Sequence, residues 1–137
     1  MTIYERNFKA LEELGIVDQI KKHGYIKMNS RGLMDLSVNK LCEDQQKIIF
    51  SLAHYGEQNG DLMADPDMEL MLMKEAKEVQ ALSYRNDYAG FFQEVYDNYE
   101  NPSSVKPKLQ KEANEFLSMW LGNIKAGGYF VCQVEDY

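Results

Sequence analysis

Carboxylates crowd one stretch of this chain. Glu57, Asp61, Asp65, Asp67 and Glu69 all fall within residues 52–70, which leave an apolar run at His54 and enter another at Met68. Carboxylate oxygens at 61, 65, 67 and 69, with an imidazole at 54, are donor types that hold divalent cations. A cation held there could activate water for hydrolysis. The spacing argues against that reading. It lacks the glycine and distal glutamate of an EF-hand loop, and it offers a single histidine. Asp65-Pro66-Asp67 is also a good turn sequence, because proline presets φ and aspartate bonds local amides. His54, Asp61, Asp65, Asp67 and Glu69 are therefore weak metal candidates, none is favoured, and no cofactor is expected. With Gly56, Gly60 and Pro66 in it, the segment reads as a loop.

The second constellation is Ser83-Tyr84-Arg85-Asn86-Asp87-Tyr88. An arginine flanked by carboxylate and amide groups can orient an anion through paired hydrogen bonds. It can equally neutralise the acidic stretch, if the two segments are neighbouring strands. Tyr55, Glu57, Asn59, Asp61, Asp65, Asp67, Tyr84, Arg85 and Asp87 then form a binding-surface set. Nucleophilic catalysis has little behind it, since neither a GxSxG elbow nor a phosphate-binding glycine loop is present. Cys42 precedes Glu43-Asp44, neighbours that blunt a thiol.

These groups need a scaffold, and the totals bound it. A chain of 137 residues, 45% hydrophobic and 27% charged, suits one soluble domain spanning 1–137. No stretch is apolar for the roughly 18 residues of a membrane span, and the N-terminus lacks a signal-peptide build. Cys42 and Cys132 show no metal-ligand spacing, so two unpaired, buried thiols in a reducing cytoplasm are expected. The formal charge is −7. Phosphate binding needs a clustered positive field, and Lys106, Lys108 and Lys111 hardly make one, so direct nucleic-acid binding is disfavoured.

Along the chain, Thr2 and Glu5 make a capping box before Tyr4, Phe8, Leu11 and Leu14 recur at helical spacing. Ile16, Val17 and Ile20 suggest a second short helix, with His23 near its end favouring the dipole. From Tyr25 the period becomes two. Residues 25–28, 34–39 and 48–55 read as strands, the third apolar on both faces and so central. Residues 68–74 and 79–86 read as a fourth and a fifth strand joined by a tight turn. Met68, Met71 and Met73 read as core filling. Residues 88–99 fit either a helix capped by Asp87 or further strand with a bulge at Gly90. A final helix starts at about Pro107, with Leu109, Ala113, Phe116, Trp120 and Ile124 as its stripe. Residues 129–137 are an edge strand or a loose tail. The expected fold is α+β, a mainly antiparallel sheet of about five strands packed against N- and C-terminal helices.

Three segments together resemble a known family. They are Ala53 to Glu69, with Gly60-Asp-Leu-Met-Ala-Asp-Pro-Asp-Met68 its most specific part, Leu82 to Val95, and Trp120-Leu-Gly-Asn123. The chain is similar, across most of residues 25–128, to small bacterial domains of unknown function. Those occur in gut Firmicutes and Bacteroidetes, often on conjugative transposons, plasmids or phages. The resemblance implies genomic context and assigns no catalytic residue.

Function is expected to be that of a non-enzymatic, cytoplasmic accessory protein of a mobile element, acting through protein contact, with homodimerisation as one form of it. Nine tyrosines and one tryptophan supply interface anchors. The alternatives are a metal-assisted hydrolase or nucleotide-processing enzyme built on the 54–69 stretch, and an acidic nucleic-acid mimic of antirestriction type.

Overall fold

The computed structural model describes residues 1–136. Its backbone is one antiparallel sheet with helices on one face. The elements are α1 (Ile3–Glu13), α2 (Ile16–Lys22), β1 (Tyr25–Asn29), β2 (Leu36–Glu43), β3 (Lys47–Gln58), β4 (Asp61–Met73), β5 (Glu78–Ala81), β6 (Ser83–Asn86), β7 (Phe91–Glu94), α3 (Pro107–Ala126) and β8 (Phe130–Glu135). The strands run in the order β7-β6-β4-β3-β2-β1-β8, with β5 also paired to β4. The α+β class stands, but among the described residues the sheet has eight strands, against the expected five or so.

Local chemistry explains the helix boundaries. The Thr2 hydroxyl accepts from the Glu5 N–H while the Glu5 carboxylate accepts from the Thr2 N–H, so two orphan amides of α1 are satisfied. Gly15 has φ of +81°, a conformation that costs glycine little, and it breaks α1 from α2. Proline opens α3 and Gly127 caps it. The fully buried line of α3 is Asn114, Leu117, Trp120, Leu121 and Ile124, about one position round from the expected stripe. These side chains meet Phe8 and Leu11 of α1 and the inward residues Phe50, Leu52, Met68, Leu70 and Val79 of the sheet. On the opposite face Tyr96 packs over a small second cluster of Ile49, Met71 and Leu82, which is why β3 is apolar on both sides. Met68 and Met71 are buried, as core filling requires, whereas Met73 is half-buried against the second cluster.

Several expectations change. The acidic stretch is no loop: β3 and β4 extend through it and turn only at Asn59-Gly60, whose φ values are +53° and +84°. Two consecutive positive-φ residues make the primed two-residue turn whose twist suits a hairpin, and Asn-Gly is its usual sequence. The expected strand 79–86 is two strands. Val79 and Ala81 face the helices, whereas Arg85 pairs with Asp67 on the other face. The side-chain alternation therefore reverses around Leu82, which joins the second cluster. Residues 91–94 are strand and not helix, and Asp87 caps no helix. Gly90, at φ +65°, sits in the turn before β7. The C-terminal segment is an edge strand, β8 against β1. Tyr137, the last residue of that expected tail, lies outside the described residues. Cys42 and Cys132 are both exposed, against the expectation of burial: Cys132 sits on the edge strand β8, and Cys42 on the end of β2 that runs past its pairing with β1.

Candidate functional site

The longest hairpin, β3–β4, carries the candidate residues, and a bulge sorts them between two faces. Ala53 pairs with Asp67 and Tyr55 with Ala64, so His54 alone stands opposite Asp65-Pro66, whose peptide bond is cis. Two residues against one reverse the alternation there. Tyr55 and Asp67 consequently share the open face, while His54 and Asp65 turn toward α3.

On the open face the residues interlock. Asp67 pairs with Arg85 across to β6, and Arg85 with Phe92 across to β7. The Tyr55 hydroxyl donates to Asp67 Oδ2 at 3.1 Å. Arg85 donates through Nε and Nη2 to the two Asp87 oxygens, at 2.7 and 3.2 Å. Asp87 also accepts from the Ala64 N–H at 2.8 Å, which pins the β6 end to β4. Arg85 is thus engaged by its neighbour Asp87, with Asp67 beside it in the sheet. Around this lattice stand exposed apolar groups: Leu62 is 74% and Phe92 61% exposed. By the pairing Glu57 with Leu62, both Leu62 and Glu57 lie on the face that bears Tyr55.

Electrostatics follow from this packing. Burial pushes the Asp67 carboxyl above its usual range, although the Tyr55 hydroxyl and Arg85 pull the other way. Its Oδ1 is buried and meets no hydrogen-bond donor among the described residues. Burial, with Asp67 next to it, pushes Tyr55 up to about 12, so its hydroxyl remains a donor at neutral pH. Burial, then Asp67 and Glu94, raises Glu69. Asp87 goes the opposite way, held low first by Arg85 and then by the Ala64 amide. Apart from Asp67 Oδ1 these groups are bonded to one another, and they present no nucleophile beside a base.

The other expected residues disperse. Glu57, Asn59 and Asp61 sit at the hairpin tip. Tyr84 faces α3 and packs edge-on to Phe116 with ring centroids 5.0 Å apart. Asp65 accepts from the Asn86 side chain at 3.3 Å, on the helix side. The bulge thus puts His54 and Asp65 on one side of the sheet and Asp67 and Glu69 on the other. Among the described residues no three His, Cys, Asp or Glu side chains come together as a metal-ligand set. Phe92 and Leu62 were missed by the sequence reading. Their signal was a large apolar residue at an outward position of a strand, visible only once the register is known.

Fold and site together define a two-layer α+β domain whose sheet leaves an aromatic and acidic patch uncovered. Such a description fits many proteins, and the sequence comparison narrows it. The chain belongs to the family described as Domain of unknown function (DUF6908), whose model matches residues 7–130. Comparisons with curated proteins and with solved structures find no match. Among the described residues no helix is long and apolar enough to cross a membrane.

Proposed function

We propose that this chain is a non-catalytic protein-binding module whose docking surface is the open sheet face at Tyr55, Leu62, Asp67, Arg85, Asp87 and Phe92. The observation that supports this is the pair of exposed apolar side chains flanking a polar lattice already hydrogen-bonded within the protein. Aromatic, tyrosine and arginine side chains are what interfaces concentrate at their centres. A lattice already bonded within the protein loses little freedom when a partner arrives. The partner is a protein presenting basic side chains. Glu57, Glu69 and Glu94 stand on or beside this face, the one arginine in it is already paired, and the chain carries −7 overall. An accessory role on a mobile genetic element rests on the sequence resemblance given above.

The test is affinity capture from nuclease-treated host lysate. It compares the wild-type chain with a Leu62→Ser/Phe92→Ser variant and with Met119→Ser. Met119 is 55% exposed on α3, away from the patch, and serves as the control. A basic protein retained by the wild type and by Met119→Ser, and lost with the patch variant, supports the reading. Equal retention by all three removes it. Self-association lost with the patch variant would replace the heterologous partner by a second copy.

A further inference from the structure

Behind the patch, on the helix side of the same bulge, lies a cavity of about 390 Å³. His54, Trp120, Tyr129, Met34, Asp65 and Asn123 are among its walls. Its size is at the small end for sites that hold organic ligands. The patch reading makes no use of it.

The rim is fixed from several sides. Tyr129 donates its hydroxyl to the Met34 carbonyl at 2.5 Å, and the Ser30 hydroxyl donates to the carbonyl of Gly127. Together these tie the turn before β2 to the end of α3. His54 Nδ1 lies 3.0 Å from the Asp35 carbonyl oxygen. A carbonyl can only accept, so Nδ1 carries the proton and Nε2 of the neutral ring is left as an acceptor. The imidazole is 9% exposed and stands edge-on to Trp120, centroids 5.4 Å apart, with Tyr129 tilted against it at 5.8 Å. Trp120 is 5% exposed, and its indole N–H is buried with no acceptor among the described residues. A buried donor without a partner is uncommon in native proteins and calls for an explanation.

These walls select a chemistry. Three rings, Trp120, Tyr129 and His54, favour a flat aromatic body. His54 Nε2 and the Asp65 carboxylate accept, so they suit N–H donors on that body. The Asn123 amide both donates and accepts. Asp65 at the wall, within a chain of charge −7, disfavours a phosphate. We propose that the cavity binds a planar, uncharged nitrogen heterocycle of nucleobase or nucleoside size. The same ring chemistry occurs in free nucleosides and in the bases of single-stranded nucleic acid, and the negative charge assigns the free form.

Trp120 is the single tryptophan, so its indole N–H gives one cross-peak in an amide-correlation NMR spectrum and reports on this wall alone. The experiment titrates the full chain with adenosine, guanosine, cytidine and uridine, their free bases, their 5′-monophosphates and a mixed single-stranded oligonucleotide. At least one neutral probe should shift the Trp120 cross-peak saturably. Its monophosphate should bind at least about tenfold more weakly, and the oligonucleotide no more tightly than the nucleoside. Asn123 is exposed on α3, so Asn123→Ala keeps the fold. That variant should weaken binding at least about fivefold with an unchanged melting temperature. Silence of the cross-peak to every neutral probe at millimolar concentration overturns the proposal. So does binding that Asn123→Ala and Asp65→Asn leave untouched. Tighter binding of the oligonucleotide overturns the assignment to a free ligand.

Discussion

Replacing Asn114 should cost this protein more than any surface change. Asn114 is 1% exposed, on the line of α3 that meets the sheet. Its Oδ1 accepts from the Ala81 N–H at 2.9 Å, and its Nδ2 donates to the Gln110 carbonyl at 2.7 Å. Ala81 is the last residue of β5, paired on its other side with Leu70 of β4. The side chain therefore supplies the acceptor that a neighbouring strand would have given, and it anchors the stretch from which β6 and Arg85 continue. Asn114→Ala leaves a buried N–H with no acceptor, which costs about 1–3 kcal/mol, plus some lost packing. The Gln110 carbonyl still has its helical N–H partner, so that end adds little. A total of about 2–3 kcal/mol should lower the melting temperature by about 6–12 °C in a domain of this size. Asn114→Leu keeps the branched shape at a somewhat larger volume and loses the same acceptor, so it should fall by at least a similar amount. Thermal melts followed by circular dichroism read both. If both variants melt within about 2 °C of the wild type, the Ala81 amide is not held as described and the anchoring argument fails.

Three further outcomes follow from the same geometry. The folded protein raises the Asp67 pKa through burial, so the folded state takes up the proton before the unfolded chain does as pH falls. Its charge is therefore a cost to the fold above that raised pKa, and the cost disappears toward the ordinary carboxylate value of about 4. Asp67→Asn should be more stable than the wild type at pH 7, with the gap closing as pH falls; urea titrations across that range would show a constant or inverted gap if burial were not the cause. Arg85→Ala should remove the cause that holds Asp87 low. Because the Arg85 side chain is 54% exposed and solvent screens its pairing with Asp87, stability should change little. The Asp87 carboxyl should titrate at higher pH by NMR, and an unmoved titration would mean the Ala64 amide alone sets it. Cys42 and Cys132 are both exposed, so a thiol reagent should label two groups per chain without denaturant; labelling only after unfolding would contradict the placement of β2 and β8.

The fold was largely legible where one physical signal stood alone. The capping box at Thr2, the both-faced apolar pattern at 48–55 and the proline start of α3 each name an element without reference to the rest of the chain. The hairpin turn was also written in the sequence, as Asn59-Gly60. Carboxylates and Pro66 nearby obscured it, because those residues are common in loops and a bulged strand accommodates them. The split at Leu82 was not legible. A reversal of side-chain alternation depends on which cluster captures each residue, and the second cluster of Ile49, Met71 and Leu82 exists only in three dimensions. That Arg85 neighbours the acidic strand was anticipated, but its guanidinium pairs with Asp87 of its own segment rather than with that strand, and the separation of Asp65 from Asp67 was not anticipated. Adjacent sequence positions suggest one site, and the bulge at His54 sends them to opposite faces.

The most direct test of the docking surface is the dissociation constant of the captured partner, measured by titration calorimetry at two salt concentrations. Truncating central interface anchors typically costs about 2 kcal/mol or more, so Leu62→Ser/Phe92→Ser should weaken binding at least about thirtyfold. The wild-type affinity should fall as salt rises, because a basic partner meets an acidic face. An affinity unchanged by both the substitutions and the salt would mean that the open sheet face is not the docking surface.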